Sequence, residues 1–492
     1  MAKITTIIDI GSNSMRMVVF KKTSRYAFHL INESKSKVKL SEGCYENGGN
    51  LQPIPMQRAF GALESFLNIA KNLKSRKIIC VATSALRDAP NKKEFLSRVS
   101  KELKLNIKII DGVKEAYFGG VAALNLIDCK EFSTVDIGGG STEFAIVQNS
   151  NIVDTVSLNI GTVRIYELFF SKNDRVGAKK YIFDQIEKYQ DIFRKHFNTL
   201  STLVALGGTS RALSRCVIQQ ENYPLNILHE FKYDTNIAHP LFDKIIETKS
   251  PKVLKSLGVR KDRFDTIATG TFIFKTILEY FKTQKVITSG VGVREGVYLC
   301  DILRNSNHKF PQNFNPSVRS LLDRYVDDHT QSGYLGNNAK KIFDTLQPLH
   351  NLDPKYRSIL VIASKLQLIG QSLNFYSTQE NSFWYILNGL NYSVNHNDKM
   401  LISIVSKYTG KSLPKDEDIA QFKTLLPHSD IIKWLNFMMT LNITLNTEYG
   451  KIKYNYILEA NRLRISSDSQ NYLIKNNIFK IESPCEVIVE LD

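Results

Sequence analysis

Two aspartates, Asp9 and Asp136, each stand at the end of an apolar run and lead into a turn rich in glycine and hydroxyls. The first turn reads Gly11-Ser12-Asn13-Ser14; the second reads Gly138-Gly139-Gly140-Ser141-Thr142 and is followed at once by Glu143. Such turns suit phosphate. Glycine lets the backbone approach an anion closely, successive N–H groups aim at it, and a carboxylate can hold a divalent cation shared with phosphate oxygens. Asp9, Asp136 and Glu143 are therefore candidate metal ligands, with Glu143 also able to orient water. A lone glycine triplet is more often an ordinary tight hairpin. The repeat of the phrase, with its acids, favours a clamp of two facing tips.

Other residues could serve the same anion. Arg16 follows the first turn, projecting either to the ligand or to solvent. Thr83 and Ser84, just after a predicted strand at 77–82, either cap the next helix or donate to phosphate, and Arg87 adds a fork of donors. Glu115 is the candidate general base: it sits at a predicted helix start, where carboxylates also occur for dipole reasons, but phosphoryl transfer to water needs an acid not fully spent on metal. Gly207, Gly208 and Thr209, and the glycine cluster at 288–296, either enter the same cleft or merely open helices. Positive charge at 161–164 and at 260–263, which includes Arg263, could line a long anion; for the latter a solvated loop is the competing account.

These residues need a scaffold that brings strand ends together. Residues 1–126 read as a hairpin, a third strand, and then helices alternating with strands near 77–82 and 107–110. From about residue 132 the theme repeats, with strands near 153–159 and 202–206 and a helix at 272–281. The fold class predicted is α/β with one unit duplicated: 1–128 and 129–305. A linker at 306–315 precedes a mostly helical domain, 316–440, and a small mixed domain, 441–492, whose strands are expected near 451–457 and 486–491.

The 492 residues carry a formal net charge of +17, which favours polyanionic partners. Polyphosphate, phosphorylated nucleotides, RNA or an anionic membrane would all satisfy it, so the motifs must choose. The six cysteines are scattered without a C-x-x-C pair, arguing against a zinc site or a disulfide framework and for reduced thiols in the cytoplasm. No leader is expected, because the N-terminus runs directly into a predicted strand, and no stretch is apolar enough to span a bilayer.

The phrases IIDIGSNSMRMVV, ATSALRDAPN, DGVKEAYFGG, VDIGGGSTEF, SLNIGTVRIYE, ALGGTSRAL and SGVGVREGVYL resemble, in order, those of the Ppx/GppA phosphatase family within the actin-like, sugar-kinase-like fold. The resemblance implies magnesium-dependent removal of terminal phosphate from inorganic polyphosphate or of the 5′ phosphate from pppGpp. It implies Glu115 as catalytic glutamate, Asp136 and Glu143 as metal and water-positioning acids, and the two hairpins with Arg87 as phosphate-binding elements. Where many members carry paired acids, this chain has Lys114-Glu115, and Lys114 is expected to add an anion contact. The C-terminal third resembles an HD phosphohydrolase domain whose metal pair is replaced by Gln367 and Leu368. The 407–411 segment likewise lacks the later histidine, so a wall of a basic channel, a distal binding surface or a homodimer interface is expected there instead. A kinase or ATPase on the same frame, and a non-catalytic sensor of alarmone or RNA, are the competing functions.

Overall fold

The computed structural model describes residues 3–410, 413–467, 472–484 and 488–491, the last four as backbone only. Cys485, Lys411 and the first two residues of the strand expected at 486–491 lie outside the described residues. The chain divides into two compact units, Met1–Phe314 and Asn315–Asp492.

The first unit holds two sheets. One contains β1 (Ile4–Ile10), β2 (Met15–Lys22), β3 (Phe28–Ser36), β4 (Lys77–Ala82) and β5 (Ile107–Ile109), in the order β3-β2-β1-β4-β5. The other contains β6 (Phe132–Ile137), β7 (Thr142–Gln148), β8 (Asn151–Leu158), β9 (Thr202–Leu206), β10 (Lys232–Asp234) and β11 (Lys285–Thr288), in the order β10-β11-β9-β6-β7-β8. In both, an antiparallel meander is extended on one side by parallel strands, β4 then β5 beside β1, and β9 then β11 beside β6. Each central strand is buried on both faces, which is why Ile4–Ile10 and Phe132–Ile137 are almost uninterrupted apolar or β-branched runs. The duplicated meander with its parallel extension is the α/β architecture expected.

Two helices trade places between the sheets. Helix Gly112–Leu126 follows the first sheet in sequence but packs on β7 and β8; Gly120 lies so close that a Cβ there would come within 2.7 Å of the Ala145 methyl. Helix Val293–Ile302 follows the second sheet but packs on β1, where the Tyr298 ring stacks on Phe20 at 4.5 Å and meets Phe28 edge-on at 5.0 Å. The two helices cross at Gly296, where any Cβ would strike the Phe118 carbonyl.

The second unit is helical, with a small sheet. Asn315 caps its first helix, Pro316–Tyr325, accepting from Ser317 and Val318 N–H. Helices His329–His350, Lys355–Leu366, His396–Lys407 and Ser429–Thr444 pack round Leu335, Leu360, Met400 and Met438; a buried Asn338–Asn442 hydrogen bond of 2.9 Å joins two of them. Strands β12 (Asn455–Glu459), β13 (Arg462–Ser466) and β14 (Ile488–Leu491) form the sheet, so the strand expected at 451–457 begins four residues later.

Candidate active site

The cleft of the first unit is made by its two hairpin turns. Asp9 stands opposite Arg16 across β1 and β2, and Asp136 stands opposite Glu143 across β6 and β7, so both aspartates leave their strands at the same register position. The tips meet. A Cβ on Gly139 would lie 2.5 Å from the Ser12 Cβ and 3.3 Å from the Asn13 nitrogen, so the contact requires glycine. Thr162 and Val163 N–H donate to the Gly138 and Gly139 carbonyls at 2.9 and 2.8 Å, holding the second turn from behind. A buried Ser12–Ser84 hydroxyl bond of 2.9 Å ties the first turn to helix Ser84–Asp88.

Between the tips is a cavity of about 140 Å³. The first lobe contributes Asp9, Gly11, Ser12, Asn13, Ser14 and Arg16, together with Thr83 and Ser84. From the second come Asp136, Gly138, Gly139, Ser141 and Glu143, and then Gly207, Gly208 and Thr209 at the start of helix Gly207–Gln220. Gly207 has a left-handed φ of 81°, and a Cβ there would strike the Asp136 carboxylate. Glu115 reaches the cavity from the first turn of helix Gly112–Leu126, which Asp111 caps by accepting from Lys114 N–H at 2.6 Å. Arg263 faces the cavity beside Gly208 rather than standing in a solvated loop.

Other expected contacts fall elsewhere. Arg87 is not in the lining: its guanidinium donates to Glu115 at 3.1 Å, to the Ile110 carbonyl at 3.3 Å and to the Ser141 hydroxyl at 3.4 Å, so it holds the acid from behind. Gly140 turns toward the Tyr45 and Ser84 hydroxyls, and Thr142 spends its hydroxyl on the Ile160 carbonyl at 2.6 Å. The Lys114 ammonium sits 5.9 Å from the Phe118 ring centre, outside the lining. Arg164, in the segment expected to meet a long anion, donates instead to the Gly140 carbonyl at 2.8 Å and to Asp88 at 3.0 Å.

Thr162 and Arg294, expected only as parts of the 161–164 and 288–296 segments, also line the cavity, as does Arg211, which sequence reasoning did not single out. Each sits one to four residues beyond a glycine cluster at a helix start, and that was the available signal. Arg16 and Arg294 share one oxygen of Glu33, at 3.2 and 2.9 Å, while Arg211 donates to the Gly290 carbonyl at 2.8 Å.

Burial leaves both signs of charge wanting partners. Desolvation lifts the Asp9 carboxyl to about 6, with Asp136 adding and Arg294 opposing. It also lifts Asp136, against the pull of Arg211, Arg294 and Arg16. Glu143 rises to about 7 through burial and the Asp136 charge, despite hydrogen bonds from Ser141 and Ser157. Glu115 is pushed up by burial and then by Glu143, with Arg87 opposing. The Arg211 guanidinium falls to about 10 through burial and the like charges of Arg16 and Arg294. A divalent cation bound together with a phosphate answers both excesses at once. Among the described residues no three His, Cys, Asp or Glu side chains close round a metal. The hard-oxygen donors therefore fit a cation that keeps water and takes phosphate oxygens, as Mg²⁺ does.

Two duplicated lobes whose facing turns enclose a phosphate-sized cleft define the chain as an actin-like α/β protein. A sequence model described as the Ppx/GppA phosphatase family matches residues 18–305, and the chain belongs to that family. It is 32% identical over 299 residues to a bifunctional 3-dehydroquinate synthase/phosphatase of Fusobacterium nucleatum, an alignment covering 57% of this chain and 44% of that protein. It is 27% identical over 396 residues to a guanosine-5′-triphosphate,3′-diphosphate pyrophosphatase of Aeromonas hydrophila, covering 77% of this chain and 75% of that one. The crystal structure of the Aquifex aeolicus family member matches with a TM-score of 0.51 and 28% identity, over 62% of this chain and 99% of that chain. The chain thus spans less than half the length of the bifunctional relative and three quarters of the pyrophosphatase.

Proposed function

We propose that the chain is a magnesium-dependent phosphoanhydride hydrolase that releases the terminal phosphate of inorganic polyphosphate, or the 5′ γ-phosphate of pppGpp to leave ppGpp. Glu115 carries this reading: a buried carboxyl lifted by Glu143, gripped by Arg87 and facing a cavity of anion donors. Burial first and then Glu143 raise this carboxyl above the ordinary carboxylate range, as suits a group that takes a proton from water. Family membership and the activity for which the Aeromonas relative is named support the choice of bond and of pppGpp.

On this reading the two turns hold the terminal phosphoryl group by backbone N–H and hydroxyl donors, while Arg16, Arg211, Arg263 and Arg294 neutralise the rest of the anion. Glu115 accepts a proton as water oxygen bonds to phosphorus and the bond to the bridging oxygen breaks, with the remaining chain leaving as the oxyanion. Asp9, Asp136 and Glu143 would hold Mg²⁺, which when bound neutralises phosphate charge. No helix among the described residues is long and apolar enough to cross a membrane, and Cys44, Cys80, Cys129, Cys216 and Cys300 are free thiols, in keeping with a cytoplasmic setting.

The test is phosphate release from long-chain polyphosphate and from pppGpp, with and without Mg²⁺, by the wild type and by Glu115→Gln. The variant is expected to lose about 10²- to 10⁴-fold in kcat on either substrate. An undiminished rate on both would sink Glu115 as the base, and no release by the wild type from either would sink the function.

A further inference from the structure

We propose a second oligophosphate-binding site at the end of the first sheet remote from the cleft. The turn at 11–14 follows the C-terminal end of β1, whereas Ile4 and Thr5, at its start, open into a separate cavity of about 590 Å³. Four distant segments deliver cations to its wall. Lys3 precedes β1, Lys22 and Arg25 lie at the connection between β2 and β3, Arg76 and Lys77 open β4, and Arg304 follows helix Val293–Ile302. Backbone bonds fix these segments side by side: Lys22 N–H donates to the Lys3 carbonyl, and Arg76 N–H to the Ile4 carbonyl, both at 3.0 Å.

Against these six cations the described residues of the lining include one carboxylate, Asp301. It is already engaged, 2.5 Å from the Lys77 ammonium and 3.9 Å from Arg304. The Lys22 ammonium is held below the usual lysine value by burial and then by the charges of Lys3 and Arg25. Solvated lysines and arginines gain nothing by converging on a concavity, because each raises the field on the others. A ligand with several contiguous negative charges reverses that sign, and fork and point donors together match phosphate oxygens. In the wall, the Tyr298 ring is held by stacking on Phe20 and an edge contact with Phe28, and the Arg25 guanidinium lies over the Tyr26 ring at 5.0 Å. The seven residues of β1 separate this pocket from the hairpin turn by roughly 20 Å, so one triphosphate cannot occupy both.

The experiment is equilibrium dialysis of tripolyphosphate against the full chain in EDTA, which prevents turnover. The proteins are the wild type, the pocket variants Lys22→Gln/Arg25→Gln and Arg76→Gln/Arg304→Gln, and the cleft variant Arg16→Gln/Arg263→Gln. The cleft variant is expected to keep one equivalent bound, and each pocket variant to weaken that class at least tenfold. Unchanged stoichiometry and Kd in both pocket variants, or no binding by the cleft variant, would overturn the site. A parallel arm with GTP identifies the source: equal affinity means the phosphates alone are read, and tighter binding means the Tyr26 wall reads the base, each outcome supporting the site. Failure of the hydrolase reading is separable, since it would appear as absent phosphate release with pocket binding intact.

Discussion

Replacing Glu143 by glutamine should make the cleft hairpin harder to open at alkaline pH while leaving it unchanged at acid pH. In the folded chain the Glu143 carboxyl titrates at about 7, against 4.5 for the unperturbed group. Below about pH 4.5 it is protonated in both states, and its contribution to stability is fully present. As pH rises from there through 7, the folded chain retains a proton that the unfolded chain has lost, so stability falls. Above 7 the cost is complete, of the order of 3 kcal/mol. Glutamine is neutral throughout, can still accept from the Ser157 hydroxyl, which lies 2.9 Å from Glu143 Oε1, and removes the repulsion that lifts Glu115. Tryptophan fluorescence would miss the effect, because Trp384 and Trp434 both belong to the second unit. Amide hydrogen exchange of the 132–148 segment is the suitable assay. Exchange should be about a hundredfold slower in the variant at pH 8 and nearly equal to wild type at about pH 4. A ratio independent of pH, or faster exchange in the variant at pH 8, would refute the electrostatic account.

Gly207→Ala should cost about 1–2 kcal/mol for the left-handed φ alone, with a further loss from the collision with Asp136, and should depress phosphate release with it; thermal unfolding of the first unit and a release assay check both. Arg87→Gln should move the acid limb of the kcat/KM profile to higher pH, because the guanidinium opposes the rise of the Glu115 carboxyl; an unmoved limb would mean that Glu115 does not set it.

The strands were legible because each carries its own signal. Lys77–Ala82 and Thr202–Leu206 are short β-branched or apolar runs ended by small or hydroxyl residues, and they form strands over the residues expected. The paired turns were legible because glycine, hydroxyl and acid recur together at both strand ends. Local pattern could not show which face of a turn a side chain takes. Thr142 and Ser141 are neighbours of similar chemistry, yet one hydroxyl is spent on Ile160 and the other faces the cavity. Arg87 and Arg211 likewise carry the same donors. One was expected at the anion and stands behind Glu115, whereas the other lies four residues past Gly207 and lines the cleft. Those outcomes depend on packing between segments far apart in sequence.

The two hairpins are alike in backbone and unlike in charge, and the exchanged helices exploit the difference. At the position facing the aspartate the first copy carries Arg16 and the second Glu143. Helix Gly112–Leu126 leaves the half that contains Arg16 and packs on β7 and β8, so Glu115 arrives beside Glu143. Helix Val293–Ile302 leaves the half that contains Glu143 and packs on β1, so Arg294 arrives beside Arg16. The exchange therefore gathers acid with acid and guanidinium with guanidinium, at the cost of repulsion within each group. Such segregation is unfavourable for an empty cavity and favourable for a ligand that is itself divided, with a cation on one side and phosphate oxygens on the other. It also means that neither half of the duplication contains all of these groups: Glu115 and Glu143 are encoded on opposite sides of residue 128, as are Arg16 and Arg294.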